Sequence, residues 1–448
     1  MENPPSRIAR ILKTADRARP KHLILAAACF HLLVTSTVFF IGHFKLMPSQ
    51  FNEVGIGTFA FDGNFYRSEI ESLSDLLVHG HVRTWLHANA ELHTKLYSLP
   101  SAVFKPLTNF NVLTIEPLNN LYYLVILILI FQLARKVFDK RVGILSAMLV
   151  AVWPTFLLHT TQLLRDPLVT VALLCLWVVV CFPLISALSW RAGLLLGVMG
   201  AVSVVLVWIV RLPMWDVVRA TTGLAVLLVV FHQLREKRFM IGNTVGVVLL
   251  ALVVFVVPKA SAQFTRISGQ DTRPTWKGKV VPGLSASELQ GLPIWERISK
   301  RRQGFSWPNE EGLPPGSNLD GDVVFSSLTD IVRFVPRAAL VGFFSPFPNT
   351  WFAPGLQVGR GGRLLAGFET LLTYIIAVFA AIAIWRNRRV LASWAMFLIV
   401  AVGAIGMGLI VINIGTLYRL RYPFWILLVI LGSAGAIHLV AKADKKHA

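Results

Sequence analysis

Charge is what this chain has least of. Asp, Glu, Lys and Arg make up 15% of its 448 residues, against 55% hydrophobic residues; an ordinary globular domain carries more of the first and less of the second. A soluble globule is thereby excluded. Acids are scarcer than bases, 23 against 43 Lys and Arg, for a formal net charge of +20. Cysteine is nearly absent. The three present, Cys29, Cys175 and Cys181, fall inside apolar runs, where they behave as small hydrophobes, so no disulfide framework is implied. The chain also lacks solenoid-period repeats and low-complexity tracts. No small-residue cleavage site follows the first apolar segment, which reads as a retained span.

What is there is a series of long apolar runs. A helix needs roughly 20 apolar residues to cross a bilayer, because every backbone polar group must be satisfied within it. Ten such runs occur, near Leu23 to Ile41, Leu121 to Leu133, Val142 to Leu158, Leu168 to Leu188, Ala192 to Val210, Val217 to Phe231, Ile241 to Val257, Leu364 to Trp385, Val390 to Ile412 and Phe424 to Val440. The expected fold class is an all-α polytopic membrane protein of about ten transmembrane helices. It divides into a cytoplasmic basic arm (1–22), an N-terminal module of seven spans (23–257), an external segment (258–363) and a C-terminal module of three spans with a cytoplasmic tail (364–448).

The connections fall into two alternating sets. One set holds the arm RIARILKTADRARPK, the turn RKVFDKR, Arg191, the turns REKR and RNRR, and the tail KADKK; with Glu2 ahead of the arm, this side has 20 of the 43 bases and 5 of the 23 acids. The positive-inside rule assigns this set, with both termini, to the cytoplasm. Net charge is then about +15 inside and +5 outside, so the basic excess is a topogenic signal and does not argue for nucleic acid.

Two external segments are too long for simple turns. In the first, 42–120, apolar residues of YRSEIESLSDLLVHGHVRTWLHANAELHTKLYSLPSAVF recur every three or four positions, which suits helices lying in the membrane interface. The second ends in RFVPRAALVGFFSPFPNTWFAPG, apolar but broken by prolines, and is expected to lie on the membrane or dip into it rather than cross it. Loops of this length are usually functional.

Charged residues gather at the external ends of the runs: Asp62 in FDGNFY, Asp166 in LLRDP, Arg211 in VRLP, and Arg419 and Arg421 in YRLRYP. Charges beside hydrocarbon are costly, so their convergence on one face is a functional-site hypothesis. Each also has a plainer reading. Asp62 before Gly63 suits an Asx turn, Asp166 before Pro167 suits an N-cap and first-turn pair, and Arg211 suits a side chain snorkelling to head groups. Arg419 and Arg421 precede Tyr422-Pro423, which predicts extended backbone; alternate residues of such a segment share a side, letting both reach one phosphate. Arg165 reads as a neutraliser of Asp166. Glu69, Glu116, Asp216 and Glu369 read as solvated or capping groups.

Other signals carry less. Asp320 and Asp322 form a D-x-D inside SNLDGDVV, read as a solvated turn. His79, His81, His87 and His93 suggest zinc, but no cysteine or close acidic triad completes a site, and they read as interfacial or polar-face histidines. GRGGR at Gly359 to Arg363 lacks a strand and a Lys-Ser/Thr, and reads as a flexible approach to the next span.

In order along the chain stand FDGNFY, LYSLPSAVF, NNLYYLVILILIFQLARKVFDKRVGILSAMLVAVWPTFLLHTTQLLRDPLVTVALL, VWIVRLP, SPFPNTW and LYRLRYP. This order resembles bacterial membrane glycosyltransferases of the GT-C superfamily, akin to protein mannosyltransferases and the lipid A aminoarabinose transferase. The resemblance covers most of the chain through loose motifs, strongest over Asp62 to Leu173 and Thr416 to Leu431. It implies a GT-C-type bundle in the bacterial inner membrane. The implied reaction moves a sugar, with inversion, from a polyprenyl-phosphate donor to a lipid, glycan or protein acceptor at the external, periplasmic face. Asp62 matches the first-loop acid that deprotonates the acceptor, and Asp166 the second-loop acid. Arg211, Arg419 and Arg421 would hold the donor phosphate, with Tyr66, Glu69, Arg165, Tyr418 and Tyr422 as accessory substrate contacts. The resemblance fixes no cofactor, and a divalent metal is left open because some members use one.

Physical chemistry supports the same roles. A positioned carboxylate makes a hydroxyl nucleophilic, an effect of roughly 10²- to 10⁴-fold, and arginine is the side chain suited to a phosphate. Two alternatives stand beside this expectation. One is an O-antigen-type polysaccharide polymerase or ligase, with RISKRRQGFSW as its arginine-rich external loop and no need of Asp62. The other is a lipid or polysaccharide transporter, which would place its charges near the bilayer midplane.

Overall fold

The computed structural model describes residues 20–268, 275–276, 279–280, 291–305, 318–355 and 357–447. The arm before residue 20, the end of RISKRRQGFSW and much of the segment 258–363 lie outside the described residues. Seventeen helices are seen among the described residues. In chain order they are α1 (Pro20–His43), α2 (Asp62–Val78), α3 (Val82–His87), α4 (Leu92–Thr108), α5 (Val112–Val137), α6 (Lys140–Ala151), α7 (Pro154–Thr160), α8 (Asp166–Cys181) and α9 (Trp190–Val210). They continue with α10 (Trp215–Glu236), α11 (Ile241–Ser268), α12 (Ile294–Gln303), α13 (Leu328–Phe344), α14 (Gly359–Arg386), α15 (Leu391–Ile410), α16 (Ile414–Leu420) and α17 (Tyr422–His447). A two-residue antiparallel pairing joins Thr275–Trp276 to Lys279–Val280. The protein is an all-α polytopic membrane protein.

Nine of these helices are long and apolar enough to cross a membrane, and α6 with α7 makes a tenth candidate bent by 69°. The bend falls within the expected third span. Pro154 supplies no amide and clashes with a preceding helical turn, and Trp153 before it is extended, at φ −71° and ψ 115°. Boundaries also move. α5 begins at Val112, so the first long connection ends well before Asn120 and Glu116 lies inside a helix. GRGGR forms the first turn of α14 rather than a flexible approach to it.

The two most enclosed spans are Asp166–Leu184, with 83% of its residues buried, and Tyr422–Lys442, with 67%. α8 and α17 therefore form the middle of the bundle, and both begin at residues singled out from the sequence. The N-terminal and C-terminal modules share this interior, where Trp177 of α8 packs on Phe424 and Trp153 on Trp425 of α17.

The two sets of connections separate to opposite ends. At the basic end, Asn243 binds the backbone of Pro183 and Leu188, and Arg235 approaches the carbonyl of Arg389. At the other end the chain around residues 55–62 meets residues 162, 357 and 419. At 1.5 Å per residue the 21 residues of α9 run about 31 Å between these ends, close to the thickness of a bilayer core.

α13 enters the bundle from the second end and turns back. It lies antiparallel on α15 with Gly408 facing Ala338 and Gly342 facing Ala404; a Cβ on either glycine would stand 1.9 or 2.1 Å from the opposing carbonyl oxygen. Only small residues permit such contact between backbones. Beyond Phe344 the chain passes the cis Ser345–Pro346 bond and returns to α14, where Thr58 Oγ1 donates to Gln357 O at 2.7 Å.

Candidate active site

Five helices are capped by their own side chains: Asn111, Asp139, Ser189, Ser327 and Asn413 each accept a hydrogen bond from an amide in the turn that follows. α2 and α8 are different. Phe61 and Arg165 occupy their cap positions, and Asp62 and Asp166 stand in the first turn without a capping bond. The Asx-turn reading of Asp62 and the N-cap reading of Asp166 are thereby corrected, and both carboxylates are left to other partners.

The segments carrying these acids are bolted together. The Gln162 side chain accepts from Gly57 N at 2.8 Å and donates to Gly55 O at 3.3 Å. Its backbone carbonyl accepts from Asn119 of α5 at 3.2 Å. The buried Tyr97 hydroxyl of α4 lies 2.7 Å from Asn119 Oδ1 and 2.9 Å from Leu164 O. Gly63 lets α2 approach, since a Cβ there would stand 3.2 Å from Leu163 O.

Four of the expected residues meet here. Arg419, in the last turn of α16, places Nη2 2.9 Å from Asp62 Oδ2 and Nη1 3.7 Å from Asp166 Oδ2. Arg211 ends α9 and donates from Nη1 to Asp166 Oδ1 at 3.0 Å. It is buried, so the snorkelling reading is corrected. Arg165 turns toward Glu91 at 3.6 Å and Val210 O at 3.5 Å, rather than pairing with Asp166. Tyr66 packs edge-on against the buried His93, ring centroids 4.4 Å apart. His93 was expected on a polar face, and its ring instead lies beneath the cluster.

Burial and charge act together on these groups. Burial would lower Arg419, but Asp166 and Asp62 beside it hold its pKa above the ordinary value. Arg211 is brought down to about 10, chiefly by burial and against the pull of Asp166; it remains a cation at neutral pH. His93 is pushed down to about 3 by burial and then by the charge of Arg165, so its ring is neutral. Burial raises Tyr66 to about 12.

Several buried atoms at this site make no hydrogen bond: both ring nitrogens of His93, Arg165 Nε, Asp166 Oδ2 and Arg419 Nη1. Buried polar atoms are nearly always satisfied. Here two of them, Asp166 Oδ2 and Arg419 Nη1, face each other at 3.7 Å, and His93 Nδ1 lies 3.2 Å from Glu91 Oε2. Chemically the cluster offers three guanidiniums for an anion and one accessible carboxylate, Asp62, whose side chain is 39% exposed against 8% for Asp166.

Arg421, Tyr418 and Tyr422 are held elsewhere. α16 is helical through Leu420, which corrects the extended backbone expected there: Pro423 lies in the opening turn of α17, where proline is tolerated. Residues two apart on a helix point to different sides. Arg421 therefore donates to Phe343 O at 3.1 Å and Ser345 O at 2.7 Å, with its guanidinium over the Tyr418 ring, and so anchors the inner end of α13. Beside it Glu369 of α14 accepts from Thr155 N at 2.7 Å, Thr155 Oγ1 at 2.5 Å and the Tyr418 hydroxyl at 3.1 Å. The Tyr422 hydroxyl lies 3.0 Å from both Thr155 Oγ1 and His159 Nδ1.

Glu369 is fully buried and Glu116 nearly so, which corrects their reading as solvated or capping groups. Glu116 accepts from Thr35 at 2.7 Å and lies 2.8 Å from His31 Nδ1, tying α1 to α5. Asp320 of the D-x-D is gripped by Arg337 through both oxygens, at 3.0 and 3.1 Å. Asp216 pairs with Arg219 and Arg301. Glu69 is half-buried on α2, and burial first raises its pKa.

A divalent cation does not suit this donor set. Asp62 and Asp166 already face guanidiniums, and no group of three or more His, Cys, Asp or Glu side chains placed for a metal occurs among the described residues. Two apolar grooves, one between α10 and α11 and one bounded by α13, α14 and α15, lie apart from the cluster and carry none of its residues.

Comparison with known proteins finds no match: no family model fits the chain, and neither a curated protein nor a solved structure is significantly similar to it.

Proposed function

We propose that the chain is an integral-membrane glycosyltransferase that moves a sugar from a polyprenyl-phosphate donor to a hydroxyl of a lipid, glycan or protein acceptor. One observation carries the reading: the accessible carboxylate Asp62 lies against Arg419, which is backed by the buried Asp166–Arg211 pair. A proton acceptor beside an anion clamp is what glycosyl transfer from a phosphate needs.

In the step, the acceptor oxygen bonds to the anomeric carbon from the face opposite the carrier. The bond from that carbon to the phosphate oxygen breaks, and its electron pair stays on the phosphate. The hydroxyl proton passes to Asp62. The configuration inverts. Arg419, Arg211 and Arg165 hold the departing phosphate, so no general acid is required. Asp166 orients Arg211 and Arg419. On the positive-inside rule the site faces outward from a bacterial inner membrane, with both termini in the cytoplasm.

The O-antigen-type alternative loses support because two of the three arginines in its loop are engaged. Arg301 pairs with Asp216, and Arg302 is buried on the carbonyls of Gly408, Leu409 and Asp320. Transport gains one point, the broken α6–α7 span. The polar groups beside that break, Thr155 and His159, are nonetheless satisfied by Glu369 and Tyr422.

The test is sugar transfer from a polyprenyl-phosphate sugar in proteoliposomes. Asp62→Asn, inserted normally, is expected to transfer about 10²- to 10⁴-fold more slowly. Full activity would remove the base assignment, and sugar-lipid flux without transfer would favour the transporter.

A further inference from the structure

The two acids hold their arginines in different ways. Asp166 is buried and fixed by Arg211 at 3.0 Å. Asp62 is 39% exposed, receives no capping bond, and comes to 2.9 Å from Arg419, Oδ2 to Nη2. Ion pairs open to solvent are weakly held. Arg419 cannot follow Asp62 outward, since its own side chain is 10% exposed and it stays near the immobile Asp166. Its Nη1 already lacks a hydrogen bond.

We propose that Asp62 is a displaceable occupant of the anion site, exchanged on Arg419 for the donor's phosphate. The inference rests on the glycosyl-transfer reading and adds an order to it: donor before acceptor. A carboxylate oxygen engaged by a guanidinium is poorly placed to accept a hydroxyl proton. A phosphate presents several anionic oxygens and can satisfy both Nη2 of Arg419 and the Nη1 that makes no hydrogen bond. When it does so, Asp62 is released at the mouth of the site, where the acceptor arrives. Without donor the base stays engaged, which protects a reactive site from idle proton transfer. Asp166 cannot be exchanged in this way, because leaving Arg211 would strand a buried charge.

The experiment titrates polyprenyl phosphate, and separately inorganic phosphate, into the full chain in nanodiscs of zwitterionic lipid at low salt. Wild type is compared with Asp62→Asn, with Asp62→Ser as a second variant in case the first folds poorly. The control is Asp75→Asn, which removes a charge from the same helix whose partner is Lys105 and not Arg419. With the competitor removed, both Asp62 variants should bind polyprenyl phosphate about threefold to tenfold tighter, and the control should shift by less than about twofold. Unchanged or weaker binding in the Asp62 variants overturns the exchange, as does equal tightening in the control. If neither wild type nor variant binds polyprenyl phosphate, or only inorganic phosphate binds, the glycosyl-transfer reading itself fails and the exchange with it.

Discussion

Two polar clusters lie side by side near one end of this bundle, and they are built on opposite principles. Around Glu369 every donor has found an acceptor: Thr155 offers its amide and hydroxyl, Tyr418 its hydroxyl, and Arg421 spends its charge on the carbonyls that end α13. Around Asp62, Asp166 and Arg419 the balance is incomplete, with unsatisfied atoms on His93, Arg165, Asp166 and Arg419 and one acid open to solvent. A satisfied network fixes a structure, whereas a partly satisfied one leaves polar atoms able to take a further partner. Arg419 and Arg421, two residues apart, belong one to each.

Three changes would break or sharpen that contrast. The largest effect is expected from Arg211→Met, which strands the carboxylate of Asp166 and should lower stability by about 3–5 kcal/mol, whereas Asp166→Leu with Arg211→Met should recover much of it. Chemical denaturation in detergent measures both. Glu369→Ala comes next. It leaves the amide and hydroxyl of Thr155 without their acceptor, while the Tyr418 hydroxyl keeps Ala366 O, for a loss of about 2–3 kcal/mol, yet the protein that remains folded should transfer sugar within about twofold of wild type.

The smallest effect at neutral pH, growing only as acid is added, is a pH dependence from His93. Its pKa is about 3 in the folded protein and 6.5 ordinarily. As pH falls below 6.5 the unfolded chain takes up a proton that the folded chain refuses. Stability should therefore decline as pH is lowered through the window from 6.5 toward 3. Melting curves of His93→Phe should lose that part of the slope.

Much of this architecture is legible in the sequence, because long apolar runs and the sorting of basic connections are one-dimensional signals. The meeting of Asp62, Asp166, Arg211 and Arg419 was legible for the same reason: each stands at the end of a run, and the ends share a layer. What depends on neighbours across space was not. Glu369 and Glu116 look like any polar residue near a span end until Thr155 and His31 are brought to them by other helices. The helical α16, which parts Arg419 from Arg421, follows from a cap at Asn413 that overrides the preference before proline. Pro154 inside an apolar run was the available sign that the third span breaks, and HTTQLLRD, the polar run after it, that Gln162 could serve as a bolt.

The most direct test compares the two clusters in one assay. Asp62→Asn and Glu369→Ala are reconstituted side by side, matched for folded protein, and the rate of sugar transfer from a polyprenyl-phosphate donor is measured. The account predicts a fall of about 10²- to 10⁴-fold for Asp62→Asn and near wild-type turnover for Glu369→Ala. Near wild-type transfer by Asp62→Asn, with loss of transfer in Glu369→Ala, would contradict it and move the chemistry to the other cluster.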